Sequence, residues 1–362
     1  MELTATINKS EVDAKTFICP SCGGTIQYDI GSRAFMCSSC RIKYEVEALS
    51  ETVKEYDFSE YAERESRVIL FEGLAAVRCQ NCGFEITFDE QQVSAVCPMC
   101  ASTQVAEVKQ AAGIPPEGII PFQIDKNKAF EQFKKWVKSR LFAPNNFKKS
   151  CREGALKGMY LPFWTYDTDS SGFYTGRGGT DRTVKDKDGK THTETDWYNV
   201  SGVVRETFND IQVCASEKEK EISGILPYNT VEKTVPYSPS YLSGFYTELY
   251  KIKADDAFNV ARSIIEKRLN TLAKQDILRS YDRAELYEVK IKNKNVTYKH
   301  VLLPVWSSVY SYAGNLYRYF VNGETGKVSG RRPYSPLKIG LTVAAACLIL
   351  IGIYLAITSG QT

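Results

Sequence analysis

Cys19-Pro20-Ser21-Cys22, fourteen residues, then Cys37-Ser38-Ser39-Cys40; later Cys79-Gln80-Asn81-Cys82, fourteen residues again, then Cys97-Pro98-Met99-Cys100. Eight of the eleven cysteines thus lie in two copies of one spacing. Each C-x2-C pair brings two thiolates to one metal, and the loop between pairs returns the second two to complete a tetrahedral four-sulfur site. Gly23 and Gly83 follow the second cysteine of each leading pair. A residue without Cβ there lets the chain turn its N–H groups toward the sulfurs. Four thiolates leave no corner for water, which marks a structural site and not a catalytic one. The expected ligands are Cys19, Cys22, Cys37 and Cys40 for one Zn2+, and Cys79, Cys82, Cys97 and Cys100 for a second. A rubredoxin-like iron takes the same ligands and is the competing metal. Disulfides need an oxidising compartment, and the N-terminus shows no secretory signal. A thioredoxin-type motif would be one pair beside a βαβ pattern, not four pairs in matched sets.

Each copy reads as a zinc ribbon, two knuckles joined by a β-hairpin. In residues 16–45, Thr25–Tyr28 and Ala34–Met36 flank Gly31-Ser32-Arg33. In residues 76–105, Phe84–Phe88 and Val93–Val96 repeat the plan. Units this small hold together through their metal. Residues 1–15 are polar and expected to be loose. Residues 46–75 are charged and read as a linker.

At the other end, residues 339–357 carry no charge. Nineteen residues at about 1.5 Å each make about 28 Å of helix, close to the ~30 Å core of a bilayer. Thr358–Thr362 follow, so the span reads as a single-pass tail anchor. Arg331, Arg332 and Lys338 precede it, which places the N-terminal bulk in the cytoplasm of a cell membrane. Reduced, metal-binding cysteines belong to the same compartment.

The formal net charge is +3, but eight thiolates and two Zn2+ would turn it to about −1. Overall charge therefore gives no case for nucleic acid. Abundant tyrosine and phenylalanine suit β structure.

Residues 115–330 read as an α+β body rich in antiparallel sheet, with an internal echo. Ile124–Phe130 opens a helical run through Leu141, with Phe130, Phe133, Val137 and Leu141 on one face. Ile252–Phe258 opens another through Leu272, with Phe258, Ala261, Ile265 and Leu269 on one face. Downstream of each come Leu161-Pro162-Phe163-Trp164 and Leu303-Pro304-Val305-Trp306, then tyrosine-rich strands. The expected whole is an α+β multidomain chain: two N-terminal four-cysteine ribbons, a body with a possible duplication, and one C-terminal transmembrane helix.

Other candidates read as ordinary structure. Gly189-Lys190-Thr191 lacks the leading glycine of a phosphate loop, and Asp186–Lys190 reads as a hairpin turn. Gly176-Arg177-Gly178-Gly179 reads as a flexible strand exit. His192 and His300 lie far from the cysteine pairs, and Cys151 and Cys214 read as plain thiols. Trp164 and Trp306 read as core. The lysines from Lys134-Lys135 to Lys148-Lys149 read as a solvated helix face, with contact to anionic lipid the weaker alternative.

The two ribbons, both Leu-Pro-x-Trp motifs, Tyr241-Leu242-Ser243-Gly244-Phe245-Tyr246, and Val321-Asn322-Gly323-Glu324-Thr325-Gly326-Lys327-Val328 before a hydrophobic tail resemble one bacterial family. Its members are usually described as zinc-ribbon-containing membrane proteins, with TFIIB-type ribbons, and sometimes as primosomal or helicase-like. The resemblance covers nearly the whole chain and includes all eight cysteines; the helicase description finds no nucleotide-binding motif here. The family implies a cytoplasm-facing membrane adaptor, encoded near phage-shock-type membrane-stress proteins and paralogous zinc-ribbon membrane proteins, which are its expected partners. It supplies no catalytic residue. The leading expectation is a non-enzymatic scaffold. The alternative is a tethered nucleic-acid-binding ribbon protein: Arg33, Phe35 and Arg41 on the first hairpin favour it, and Glu85, Asp89 and Glu90 on the second oppose it. An enzyme in the body would draw on Asp125, Asp167, Asp169 and Asp210.

Overall fold

The structure, a computed structural model, describes residues 4–7, 18–46, 52–67, 69–81, 84–89, 97, 99–100, 102, 105–150, 156–216, 219–242 and 244–359. In chain order the elements are β1 (Thr4–Ile7), β2 (Ile26–Asp29), β3 (Ala34–Cys37), β4 (Lys43–Val46), β5 (Tyr56–Asp57), α1 (Tyr61–Ser66), β6 (Ile69–Cys79), β7 (Glu85–Asp89), β8 (Val105–Gly113) and β9 (Gly118–Ile119). Then come α2 (Lys126–Lys138), α3 (Asn145–Ser150), β10 (Lys157–Lys185), β11 (Thr191–Cys214), α4 (Glu219–Ile222), α5 (Thr230–Lys233), β12 (Val235–Pro236), β13 (Tyr246–Glu248), α6 (Ala254–Ile277), β14 (Arg283–Tyr312), β15 (Asn315–Asn322), β16 (Val328–Gly330) and α7 (Pro336–Ser359).

The protein is α+β, with mostly antiparallel sheet. A small sheet runs β1-β4-β3-β2, so Thr4–Ile7, within the segment expected to be loose, is an edge strand parallel to β4. A large sheet is built on three long strands, β11-β10-β14. β10 and β11 meet at the turn Asp186–Lys190, where Asp186 Oδ1 accepts from the N–H groups of Asp188 and Lys190 and Gly189 has φ +78°. That turn is the one its sequence predicts. Gly176–Gly179, expected to leave a strand, instead lies inside β10 with partners on both sides. The glycines are there because neighbours come close. A Cβ on Gly178 would stand 2.3 Å from the Tyr281 ring, and one on Gly176 would stand 2.2 Å from the Glu285 carbonyl.

The two Leu-Pro-x-Trp motifs pair with each other, Leu161 opposite Leu303 in the β10–β14 ladder. Each proline lacks an N–H, and each sits one residue before a further strand joins, β11 at Phe163 and β15 at Val305. The tryptophans then reach crosswise. Trp164 donates its indole N–H to the carbonyl of Ile252, just before α6, and Trp306 donates to that of Ile124, just before α2, both at 2.8 Å. Tyr250 and Phe122, each two residues before its isoleucine, pack on these rings at 5.2 and 4.9 Å.

α2 starts where Asp125 Oδ1 accepts from Lys128 N, and buries Ala129, Phe130, Phe133 and Val137. It ends at Lys138, so Leu141, expected on its apolar face, lies beyond the helix and is 77% exposed. α6 continues past Leu272 to Ile277 and buries Phe258, Ala261, Ile265, Leu269, Ala273 and Ile277 along one stripe. Tyr174 of β10 ties down its last turn by donating to Asp276 Oδ2 at 2.6 Å.

Two further expectations change. The 46–75 stretch, read as a linker, holds β5, α1 and the start of β6. Tyr56 pairs with Tyr298 of β14, and Tyr61 is buried in the body. The second cysteine segment does not stand apart either. β7 pairs with β6 and with β13, so its strands join the large sheet. Val93–Val96, expected as its second hairpin strand, lies outside the described residues.

Candidate metal centres

Cys19, Cys22, Cys37 and Cys40 converge at the end of the small sheet, with all four Sγ atoms within 4.8 Å of one another. Cys19 and Cys40 sulfurs are 3.6 Å apart, and those of Cys22 and Cys37 are 3.5 Å apart. A tetrahedral metal with arms of about 2.3 Å sets its sulfurs about 3.8 Å apart, whereas a disulfide needs about 2.05 Å. The donor set therefore fits one four-coordinate ion. Backbone turns place it. Cys19 N donates to Gly24 O and Gly23 N to Cys19 O; Cys37 N donates to Ile42 O and Arg41 N to Cys37 O. These are the same turn twice, with φ of +73° at Gly23 and +59° at Arg41. Arg41 takes the place that glycine holds in the first turn, which is why its sequence does not reveal the match.

The Tyr44 hydroxyl lies 2.7 Å from Cys19 Sγ. Burial and the adjacent thiol push Tyr44 up to about 12, so it stays protonated and donates. Burial works against ionising Cys19. The Tyr44 hydroxyl and the Ser21 and Cys22 backbone outweigh it and bring the thiol down to about 6. Cys19 and Cys37 are buried and Cys22 and Cys40 exposed. The sheet seats on the body through Tyr28 and Phe35, whose rings lie 5.3 and 4.9 Å from Tyr241.

Cys79, Cys97 and Cys100 form a second cluster, their sulfurs within 4.8 Å; Cys79 and Cys100 are 3.5 Å apart. Cys82 lies outside the described residues. The turns repeat: Cys79 N donates to Phe84 O and Cys97 N to Ser102 O, the five-residue reach of the first cluster. Here every described cysteine is buried, packed in one core with Met99, Leu161, Phe163, Leu303 and Phe320.

Of the four aspartates weighed for catalysis, the fold joins only Asp167 and Asp210. Asp125 caps α2, and Asp169 accepts from Thr207 and Asn295. Glu55, from the docked 52–67 segment, joins the pair, and the three carboxylates lie within 4.8 Å. Lys299 Nζ sits 2.6 Å from Glu55 Oε1 and 2.7 Å from Asp210 Oδ1, so an ammonium already supplies the cluster's positive charge. Asp210 has φ +55°, and its N–H donates to Asp167 Oδ1 at 2.7 Å. Burial, with Glu55 and Asp210 nearby, pushes Asp167 up to about 6. Burial works against the charge on Lys299, but Asp210 and Glu55 outweigh it and hold its pKa above the ordinary lysine value.

His300, next in the chain, is buried between Trp164 and Tyr250. Its Nδ1 lies 3.0 Å from the Ile114 carbonyl, which fixes the proton there and leaves Nε2 without a partner among the described residues. Burial drives its pKa down to about 4 from 6.5. The unfolded chain then takes up a proton below about pH 6.5 that the folded chain refuses until about 4, so this residue costs stability as pH falls through that window. His300→Asn, whose amide can keep the bond to Ile114, is expected to remove a pH dependence on the order of 3 kcal/mol between those limits. Thermal melts of the detergent-solubilised chain at both ends of the window check this. An unchanged difference between them would rule His300 out as its source. His192 lies exposed beside Glu194.

No family model matches this chain, and no solved structure matches it. It is similar to the uncharacterized protein YdjG of Bacillus subtilis (strain 168). The two are 28% identical over 327 residues, which span 90% of this chain and 92% of that one. The likeness therefore covers most of both chains, and the relative's description carries no activity.

α7 completes the picture. Pro336–Tyr354 is long and apolar enough to cross a membrane, and none of it is buried against the rest of the chain.

Proposed function

We propose that this chain is a membrane-anchored adaptor, its bulk in the cytoplasm, whose two structural zinc ribbons hold protein partners at the bilayer without chemistry of their own. The observation that carries the reading is a closed four-thiolate cluster at the surface of a body that also bears an unburied apolar helix. The filled sulfur set supports a structural role, and thiolate ligands favour zinc. Arg331, Arg332 and Lys338 beside α7 favour a cytoplasmic body. By its resemblance, the partners are phage-shock-type membrane-stress proteins and paralogous zinc-ribbon proteins. The crosswise tryptophan bonds support an internal duplication, two helix-then-sheet units fused in residues 115–330.

The test uses the exposed ligands. Cells carrying the native chain or Cys22→Ser/Cys40→Ser are crosslinked, and the protein is purified from detergent-solubilised membranes for mass spectrometry. Specific partners are expected with the native chain and lost with the variant, at equal membrane content. An identical partner set would sink the ribbon-adaptor reading. Alkaline carbonate should leave the full chain in the membrane pellet and release a chain ending at Ser335; release of both would sink the anchor.

A further inference from the structure

The basic residues of this chain are not spread evenly. Residues 132–152 hold Lys134, Lys135, Lys138, Arg140, Lys148, Lys149 and Arg152 and no acidic residue. Residues 325–362 hold Lys327, Arg331, Arg332 and Lys338, again with no acidic residue. A chain of formal charge +3 thus gathers eleven cations in two acid-free segments.

The fold brings those two segments together at the base of α7. Ser335 N donates to Phe142 O at 2.8 Å, and Lys338 Nζ donates to Ala143 O at 2.8 Å and Asn145 Oδ1 at 2.9 Å. A third acceptor is Leu141 O at 3.4 Å, and among the described residues none of the three is a carboxylate, so its charge is not neutralised there. The loop after α2 is therefore fastened to the first turn of the apolar helix. Beside this junction Leu141 and Leu337 are 77% and 73% exposed, and Tyr334 is 58% exposed. Arg140 lies over the Trp136 ring at 4.7 Å, and Arg332 over Tyr334 at 5.2 Å. Cations stacked on aromatic rings next to exposed leucines suit the water–lipid boundary, where an amphipathic ring sits at headgroup level. α2 ends at Lys138, four residues before Phe142, so its last turn leads directly into this junction.

We propose that this end of the body is a binding surface for anionic phospholipid headgroups. Lys134, Lys135 and Arg140 from α2 and its loop, with Arg332 and Lys338 beside the span, hold the body against the bilayer. The exposed leucines sink into the layer that the cations mark. This rests on reading α7 as a membrane span. A tether alone would leave the body free to swing; the second contact fixes which face, and so which cluster, points to the cytoplasm.

Trp136 is a native reporter, half-buried on α2. The full chain is placed in nanodiscs of phosphatidylcholine, alone or mixed with phosphatidylglycerol, each doped with a headgroup nitroxide lipid. Subtracting a Trp136→Phe protein isolates the Trp136 quenching. The expected result is about a twofold rise in quenching in anionic discs, lost at high salt. Lys134→Glu/Lys135→Glu, at exposed positions, should abolish the rise with an unchanged melt. The salt dependence of the native chain tests the same point if that variant misfolds. Equal quenching in neutral and anionic discs overturns the proposal. So does salt-dependent retention of an oligonucleotide by the chain in detergent with no lipid effect, which would assign the patch to nucleic acid. Failure to enter discs at all is read first, by co-elution; it removes the span and the lipid surface with it, and is distinct from entry without quenching.

Discussion

Cys97→Ser is expected to destabilise the body strongly, while Cys22→Ser leaves it standing. Each removes one sulfur from a cysteine cluster that could hold a metal, four described thiols in the first and three in the second, and each should lower bound metal from about two equivalents to about one. What differs is where the cluster sits. Cys97 is 2% exposed and shares a core with Leu161, Phe163 and Leu303, the residues at the β10–β14 crossing. Structural zinc contributes about 10–16 kcal/mol of apparent binding energy at neutral pH, and a whole domain is stable by only about 5–15. An ion held by the second cluster would sit inside that core, and its loss would leave buried thiols around a void as well. A fall in melting temperature of more than about 10 °C is expected. Cys22 is exposed, and although Cys19 and Cys37 of its cluster share a core with Phe122 and Trp306, that core is a seam between the small sheet and the body and not the β10–β14 ladder itself, so its loss should move the body's melt by less than about 3 °C. Metal content by elemental analysis and a circular-dichroism melt on each variant decide it. Equal shifts would mean that the second cluster is no more part of the core than the first.

The convergence of the described cysteines into two clusters was legible because cysteine spacing is a covalent constraint read directly along the chain, and the repeated turns follow from it. Helix faces were legible for the same local reason: Phe258, Ala261, Ile265 and Leu269 recur at helical intervals and are all buried. The limit shows at Leu141. It kept the interval of Phe133 and Val137, but periodicity does not mark where Lys138 ends the helix. Strand partners were not legible. β7 pairs with β13, some 160 residues on, and a strand's alternation states which face is buried without stating which neighbour covers its edge. Gly176–Gly179 misled because a glycine needed for close approach looks the same as one needed for a turn until Tyr281 and Glu285 are in place. Glu55 gave no signal at all: its role exists only once β5 pairs with β14.

That residue leads to the second large effect. Lys299→Met is expected to cost about 3–5 kcal/mol near neutral pH, because it leaves three carboxylates, one of them fully buried, without their cation. The loss should depend on pH in a definite direction. With the ammonium present, burial and its neighbours already push Asp167 up to about 6. Without it, Asp167 loses the nearby positive charge that opposes its burial, so its folded pKa rises further above the unfolded value near 4. The folded chain then binds more protons than the unfolded chain across that interval, and stability climbs as pH falls through it. The variant should therefore be much weaker than the native chain at about pH 7.5 and close to it at about pH 5. Adding Glu55→Gln and Asp210→Asn should recover most of the loss at the higher pH, since the cost comes from unpaired charge and not from lost packing. A deficit that is equal at both pH values would show that the carboxylates do not feel Lys299. The outcome also bears on how the two cysteine clusters are linked. Glu55 and Arg64 both anchor the 52–67 segment to the body, through Lys299 and Glu117 respectively. Removing Lys299 frees one end only. Hydrogen exchange across Tyr56–Ser66 should therefore rise most at Tyr56 and Asp57, where β5 meets β14, and least near Arg64. A uniform rise would mean that the segment is held by one contact, and that the clusters it joins move as one with it.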